Sequence, residues 1–268
     1  MLATVCQSLV AADAAAGDFY AAGSLATTLG IVEPHGHNGD RAGANDNRAN
    51  RGTDTDSSPV FAGVAGFEFP LRQALPRRHR MPRWMPDVDL DDWVIRTELE
   101  LAGGRNYDVA IGASGLATHH VSVSQWALLT NAWLDLPLGH GLEAIGLRQR
   151  WLRDVTFNTG LGIGYQRTRV ESTSFDARGK HSDNGFLWQL GLELGIPLSD
   201  AVVFTAGYRY VPVGRLENEI TDTTSSQDYG VQKLDVSGHE LRTTLRVRFW
   251  SVRFPRGLFE PDRDRYEP

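Results

Sequence analysis

Cysteine is all but missing from this chain of 268 residues, with Cys6 standing alone. That excludes an intrachain disulfide framework and a cysteine-rich zinc site. No apolar run approaches the roughly 18 residues that a membrane-crossing helix needs. Helical periodicity is almost absent, and only residues 143–153 (EAIGLRQRWLR) offer a turn or two. Lysine is scarce beside arginine, which reads as compositional bias rather than function. A basic footprint is also lacking: the formal net charge is −6, which disfavours a nucleic-acid partner. No internal repeat beyond hairpins is present, so propellers and solenoids are not expected. None of these absences excludes a membrane-spanning β-barrel, whose segments are short and alternating.

At the N-terminus, residues 1–16 (MLATVCQSLVAADAAA) combine the apolar stretch Leu2 to Ala12 with a small-residue site at Ala14-Ala15-Ala16. They read as a truncated signal peptide, because no Lys or Arg precedes Arg41. The other reading is a disordered Ala-rich terminus. Lipidation of Cys6 is not expected, since Val5 is not the small residue that would precede a lipidated cysteine.

What the sequence does hold is period-two alternation, the mark of strands with two unlike faces. In 186–196, Phe186, Trp188, Leu190, Leu192, Leu194 and Ile196 oppose Leu187, Gln189, Gly191, Glu193 and Gly195, and Pro197 ends the run. Residues 202–210, 241–250, 155–166 and 93–101 repeat the pattern. Weaker runs at 18–31, 59–69 and 124–136 bring the expected number of strands to eight. Each is near the ~9–11 residues that a tilted barrel strand needs to cross a bilayer. The connections 32–58, 102–123, 167–184 and 214–238 are long and polar, whereas 70–92, 137–153 and 197–200 contain proline. Such alternation predicts an up-and-down barrel with long loops at one rim.

Which face points outward separates a membrane barrel from a soluble one. The minority face is rich in glycine (Gly160, Gly162, Gly164, Gly191, Gly195, Gly207), which leaves room inside a narrow barrel. Its charges balance by sign. Glu68, Glu98, Glu100, Asp135 and Glu193 are expected to meet Arg96, Arg209, Arg242, Arg246 and Arg248 across the lumen, because unpaired they would be expensive to bury. Aromatic residues gather near strand ends, as at Trp93, Trp126, Tyr165, Trp188 and Trp250, in the manner of interfacial girdles. The competing reading is a solvated strand face on a soluble barrel.

Four segments carry a family resemblance: WALLTNAWLDLPL (126–138), FNTGLGIGYQRTR (157–169), GFLWQLGLELGIPLSDAVVFTAGYRYVPVG (185–214) and HELRTTLRVRFW (239–250). In this order they resemble the outer-membrane β-barrel family of opacity-type proteins and the barrel domain of outer-membrane protein A. Gly207-Tyr208-Arg209-Tyr210 after Leu198-Ser199-Asp200 is the most specific piece, and the first hundred residues match only loosely. The resemblance implies an all-β, eight-stranded antiparallel barrel in a Gram-negative outer membrane, acting as anchor, adhesin or minor porin, with no catalytic residues to carry over. Three features depart from the family: the chain runs past Trp250, the turn at 70–92 is long, and the leader is short.

The remaining motifs are weak. His35-Gly36-His37 lacks a third metal ligand. His119, His120 and Ser122, or His181-Ser182-Asp183, would be needed for a lipid-modifying barrel esterase, but these residue types are common in polar loops. The basic run Arg77-Arg78-His79-Arg80 with Arg83 and Trp84 is nearly cancelled by Asp87, Asp89, Asp91 and Asp92. GLGIG (160–164) is a strand alternation, not a phosphate loop. Glu217, Glu219, Asp222, Asp228 and Asp235 read as an acidic mobile loop.

The expectation is therefore a leader (1–16), a barrel (17–250) and a charged tail (251–268), without cofactor or metal. The function expected is envelope anchoring and surface presentation, with adhesion or narrow solute passage as further roles. Its partners are outer-membrane lipid and an extracellular ligand or host surface met by the four long loops. A soluble lipocalin-like binder is the alternative, and a lipid-modifying barrel enzyme the third reading.

Overall fold

The computed structural model describes residues 15–36, 54–71, 92–111, 119–138, 154–173, 177–222 and 228–254. They form eight strands: β1 (Ala15–Gly36), β2 (Asp54–Pro70), β3 (Val94–Ile111), β4 (His119–Pro137), β5 (Thr156–Thr173), β6 (Ala177–Pro197), β7 (Val202–Asp222) and β8 (Asp228–Phe254). Each pairs antiparallel with the next, and β8 pairs with β1, closing an up-and-down barrel in chain order. Closure leaves no full-length edge unpaired, which alternating strands otherwise need to protect. The tight turn between β6 and β7 is held by Leu198 N–H donating to the Val202 carbonyl at 2.8 Å.

Around the lower half, the half nearest the first and last described residues, the outer surface is apolar. Leu99, Leu101, Leu161, Ile163, Leu190 and Leu192 are all exposed on it. This is opposite to the soluble lipocalin-like alternative, which needs the apolar face inside. A contiguous apolar band of this kind is compatible with lipid and not with water.

Every strand is longer than the alternation predicts, and the extensions run into the segments read as long loops. The strand ends bounding those connections are Gly36 and Asp54, Ile111 and His119, Thr173 and Ala177, and Asp222 and Asp228. The expected loops 102–123, 167–184 and 214–238 are thus in large part barrel wall, and 32–58 is wall at both its ends. The physical reason is an inversion of polarity. In the upper half, Val32, Tyr107, Val109, Val121, Val123, Val170, Val213, Leu216, Leu234 and Val236 form a buried cluster inside. The outer face there carries Asn106, Asp108, Arg167, Arg169, Glu217 and Lys233. An apolar-out pattern therefore stops where the strands continue. The acidic residues assigned to a mobile loop stand on rungs of β7 and β8: Glu217 pairs with Lys233 at 3.0 Å and Asp235 with Arg215 at 3.0 Å.

Two bulges shift the alternation. On β3, two residues, Gly103 and Gly104, stand between Ala102 and Arg105 where Trp126 alone stands between Ala127 and Gln125 on β4, and Gly104 sits at φ 92°. On β7, Pro212 and Gly214 flank an extra residue opposite Ser237 and Val236, and Gly214 sits at φ 94°. Only glycine adopts this left-handed backbone without strain. A Cβ on Gly104 would also lie 2.9 Å from the Pro59 carbonyl, whereas one on Gly103 would meet nothing within 4 Å. Gly104→Ala is therefore expected to cost about 1–3 kcal/mol and Gly103→Ala far less. Urea unfolding of the refolded variants checks this, and equal midpoints would contradict it.

Above these bulges the wall is partly unzipped. The β2–β3 ladder ends at Phe61 with Gly103. Beyond it, the side chains of Asp54, Asp56 and Ser58 accept hydrogen bonds from the backbone N–H groups of Ala110, Asp108 and Asn106. The β6–β7 ladder breaks between Leu190–Tyr210 and Gly179–Ile220. Within that gap, Gln166 on β5 donates to the Val213 carbonyl at 2.6 Å.

At the lower rim, β1 begins at Ala15, inside the segment read as leader, and β8 continues past Trp250 to Phe254, which pairs with Ala15. Residues 251–254 of the segment read as a charged tail are thus strand. Residues 1–14, His37, the basic run 77–84, the possible helical turn 143–153 and residues 255–268 lie outside the described residues.

Candidate functional site

The lower and middle barrel interior is filled with ion-paired side chains. Alternation directs Arg96, Glu98 and Glu100 inward from β3, and the same rule directs Glu240, Arg242, Thr244 and Arg246 inward from β8. Inside, Arg96, Arg105, Arg209, Arg242, Arg246 and the half-buried Arg248 face Glu68, Glu98, Glu100, Asp135, Glu193 and Glu240, so opposite charges match in number.

They divide into two linked clusters. In the lower one, Arg96 Nε donates to Asp135 at 2.7 Å and its Nη1 to Glu98 at 2.6 Å. Glu98 also accepts from Tyr20 Oη at 2.7 Å and from Trp133 Nε1 at 2.8 Å. Arg246 reaches Glu68 at 3.1 Å and Asp135 at 3.5 Å, and Arg248 bonds the other Glu68 oxygen. The two guanidinium groups of Arg96 and Arg246 lie 5.2 and 5.3 Å from the ring centres of Trp133 and Tyr20, within cation–π range.

The middle cluster crosses the barrel. Glu100 accepts from Arg209 at 2.7 Å, Arg242 at 3.0 Å and Asn131 at 2.9 Å. Arg209 also donates to Glu240 at 2.7 Å, and Glu240 receives Arg105 at 2.6 Å. These bonds join β3 to β7 and β8 on the far side. Gln189 extends the network by donating to Asn131 at 2.7 Å. Pairing of all these ions but Glu193, which makes no hydrogen bond or ion pair among the described residues, is what makes such burial tolerable, since each ion is costly to desolvate alone. A void of about 10 Å³ bounded by Arg96, Glu98, Glu193, Arg242 and Arg246 has room for about one water.

The inward glycines make room for aromatic and amide groups more than for charges. Trp133 lies against Gly160 and Gly191, Tyr20 against Gly66, and Asn131 and Gln189 against Gly162. Added side chains there would collide.

All ten charged residues expected on the lumen face lie on strands facing the interior, nine buried and Arg248 half-buried. Arg105 and Glu240, both buried in the middle cluster, are additional. Glu240 was reachable from sequence, one period-two step before Arg242. Arg105 was not, because the bulge at Gly104 shifts the phase before it.

The residues considered for esterase chemistry are placed differently. His181 and Ser182 are adjacent on β6 and so point to opposite faces, which separates a hydroxyl from its base. His120 and Ser122 share the outer face of β4, and no hydrogen bond joins them among the described residues. Asp183 is exposed on β6. Among the described residues, no group of three or more His, Cys, Asp or Glu side chains could hold a metal ion.

No protein-family model and no curated protein matches the chain. Similar solved structures include Neisserial surface protein A, 13% identical, covering 87% of this chain and 99% of its own, with TM-score 0.40. Others are OprG from Pseudomonas aeruginosa (15% identical, 88% and 98% covered, TM-score 0.43) and Ail, the attachment invasion locus protein of Yersinia pestis (11%, 87% and 99%, TM-score 0.37). The chain's own strand ladder defines its fold. Eight antiparallel strands, an apolar belt and a charged interior make it an outer-membrane-type barrel.

Proposed function

We propose that this chain is a non-catalytic outer-membrane protein of a Gram-negative cell that anchors in lipid and presents a rigid rim above it. One observation carries the reading: the lumen is filled by mutually paired charges while the apolar residues face out. A barrel of this strand number is just wide enough for side chains to fill it. It therefore acts as a closed anchor rather than an open pore. The polar outer wall above the belt, with the segments it carries, is the surface available to an extracellular ligand or a host surface.

The test is membrane fractionation beside gel migration with and without heating, followed by planar-bilayer recording. The reading expects an outer-membrane fraction, faster migration of the unheated form and no stable conductance. A protein that stays aqueous without detergent would overturn the membrane reading. Large, long-lived open channels would overturn the closed lumen.

A further inference from the structure

The outer wall above the belt is not uniform around the barrel. Cross-strand register on β4, β5 and β6 places Trp126 beside Arg167 beside Asn184, Ser124 beside Arg169 beside Ser182, and Ser122 beside Glu171 beside Lys180. His120, Thr173 and Arg178 follow one step higher. Arg167, Arg169, Arg178 and Lys180 are all exposed. They share one carboxylate, Glu171, which meets Arg169 at 2.7 Å and Lys180 at 3.3 Å. Arg167 and Arg178 have no ion pair among the described residues. Two acids flank the sector, Asp108 on β3 beside Ser122 and Glu219 on β7 next to Ile220, which pairs with Gly179. Elsewhere on this wall, Arg215 and Lys233 are each matched by an acid, and Glu33 adds negative charge. In a chain of net charge −6, this sector is a local reversal of sign.

Its height matters as much as its charge. Arg167 is level with Trp126, whose ring centre lies 6.1 Å from that of Tyr165, and Tyr165 pairs with Phe186. These exposed aromatics cap the apolar belt on the same three strands. Aromatic rings of this kind sit at the headgroup level of a bilayer, so the cations stand where lipid phosphates lie. Arginine suits that ligand because its planar fork bonds two phosphate oxygens at once.

Resting on the outer-membrane reading, we propose that the β4–β6 sector binds the phosphorylated headgroup of a lipid in the leaflet on the long-loop side. Arg167 and Arg169 contact phosphate, Arg178 and Lys180 supply charge above them, and the acyl chains lie along Leu128, Ile163, Trp188 and Leu190. The sector thus selects one lipid class and fixes one side of the barrel against it.

The test uses the full chain refolded in zwitterionic micelles, titrated with a bis-phosphorylated disaccharide lipid and with its dephosphorylated form, and read by native mass spectrometry. Binding is expected to weaken about tenfold or more on dephosphorylation, and likewise in Arg167→Gln with Arg169→Gln. Arg215→Gln, in another sector, is expected to leave it unchanged. Equal affinity for the two lipids, unchanged affinity in the double variant, or competition by inorganic phosphate as effective as lipid would each overturn the site. Heat-shifted gel migration, measured beside, separates the two levels. A shift retained with binding lost in the double variant supports the site. A shift retained in wild type with no phosphate preference sinks the site alone, and absence of the shift in wild type sinks the barrel reading as well.

Discussion

Truncation of Glu100 to alanine is expected to lower the unfolding free energy by about 3–5 kcal/mol, because it removes the carboxylate that two buried cations share. Arg209 and Arg242 both donate to that carboxylate, and both are buried. Arg209 keeps Glu240, while Arg242 retains, among the described residues, only Thr244 at 3.0 Å. Adding Arg242→Ala to Glu100→Ala should therefore recover part of the loss, a coupling that a double-mutant cycle resolves. By contrast, Glu217→Ala removes an exposed pair with Lys233 and should cost no more than about 1 kcal/mol. Reversible urea unfolding in lipid vesicles, followed by tryptophan fluorescence, measures wild type, Glu100→Ala, Arg242→Ala, their double variant and Glu217→Ala. A Glu100 variant as stable as the Glu217 variant would show that the middle cluster is hydrated and not a plug.

Leu161→Arg is the second large effect, and it tests the solvent around the barrel rather than the contents. Leu161 is 55% exposed on β5, opposite Leu190 and midway along the belt. On a soluble protein such a substitution would be nearly neutral. Against hydrocarbon at the bilayer midplane it should cost about 2–4 kcal/mol. Ser182→Arg, on the outer face of β6 above the aromatic cap, should cost about 0–1 kcal/mol. If both positions accept arginine equally well in vesicles, the belt is not embedded in lipid.

The eight strands and their order were legible because lipid and lumen impose opposite demands on alternate residues, so Leu190, Leu192 and Leu194 fall in step with Gln189, Gly191 and Glu193. The upper third was not legible by that route. There Val121, Val123 and Val170 are the inward residues and Arg167, Arg169 and Glu171 the outward ones, so a reading tuned to apolar-out strands registers only polar sequence. Bulges compound this. On β3 the inward series Arg96, Glu98, Glu100 and Ala102 resumes at Arg105, not 104, so its partner in the middle cluster drops out of phase. A reading that starts the last strand at Leu241 stops one residue short of Glu240. The cross-barrel bonds, such as Arg209 to Glu100, become visible only once closure sets β3 opposite β7.

The reversal of polarity along each strand also sets a waterline. Sliding the barrel inward by one two-residue step, about 7 Å along a strand, would draw Arg167 toward acyl chains. Sliding it outward by the same step would lift Phe186 and Tyr165 clear of the bilayer. Immersion depth is thus specified by the wall itself, without help from the connecting segments. Because β6 continues from Phe186 up to Ala177 as strand, whatever the rim carries is held at a constant stand-off, about 20 Å once strand tilt is allowed for. A molecule approaching the cell meets a raised collar of fixed height, and its reach must match that height rather than the slack of a loop.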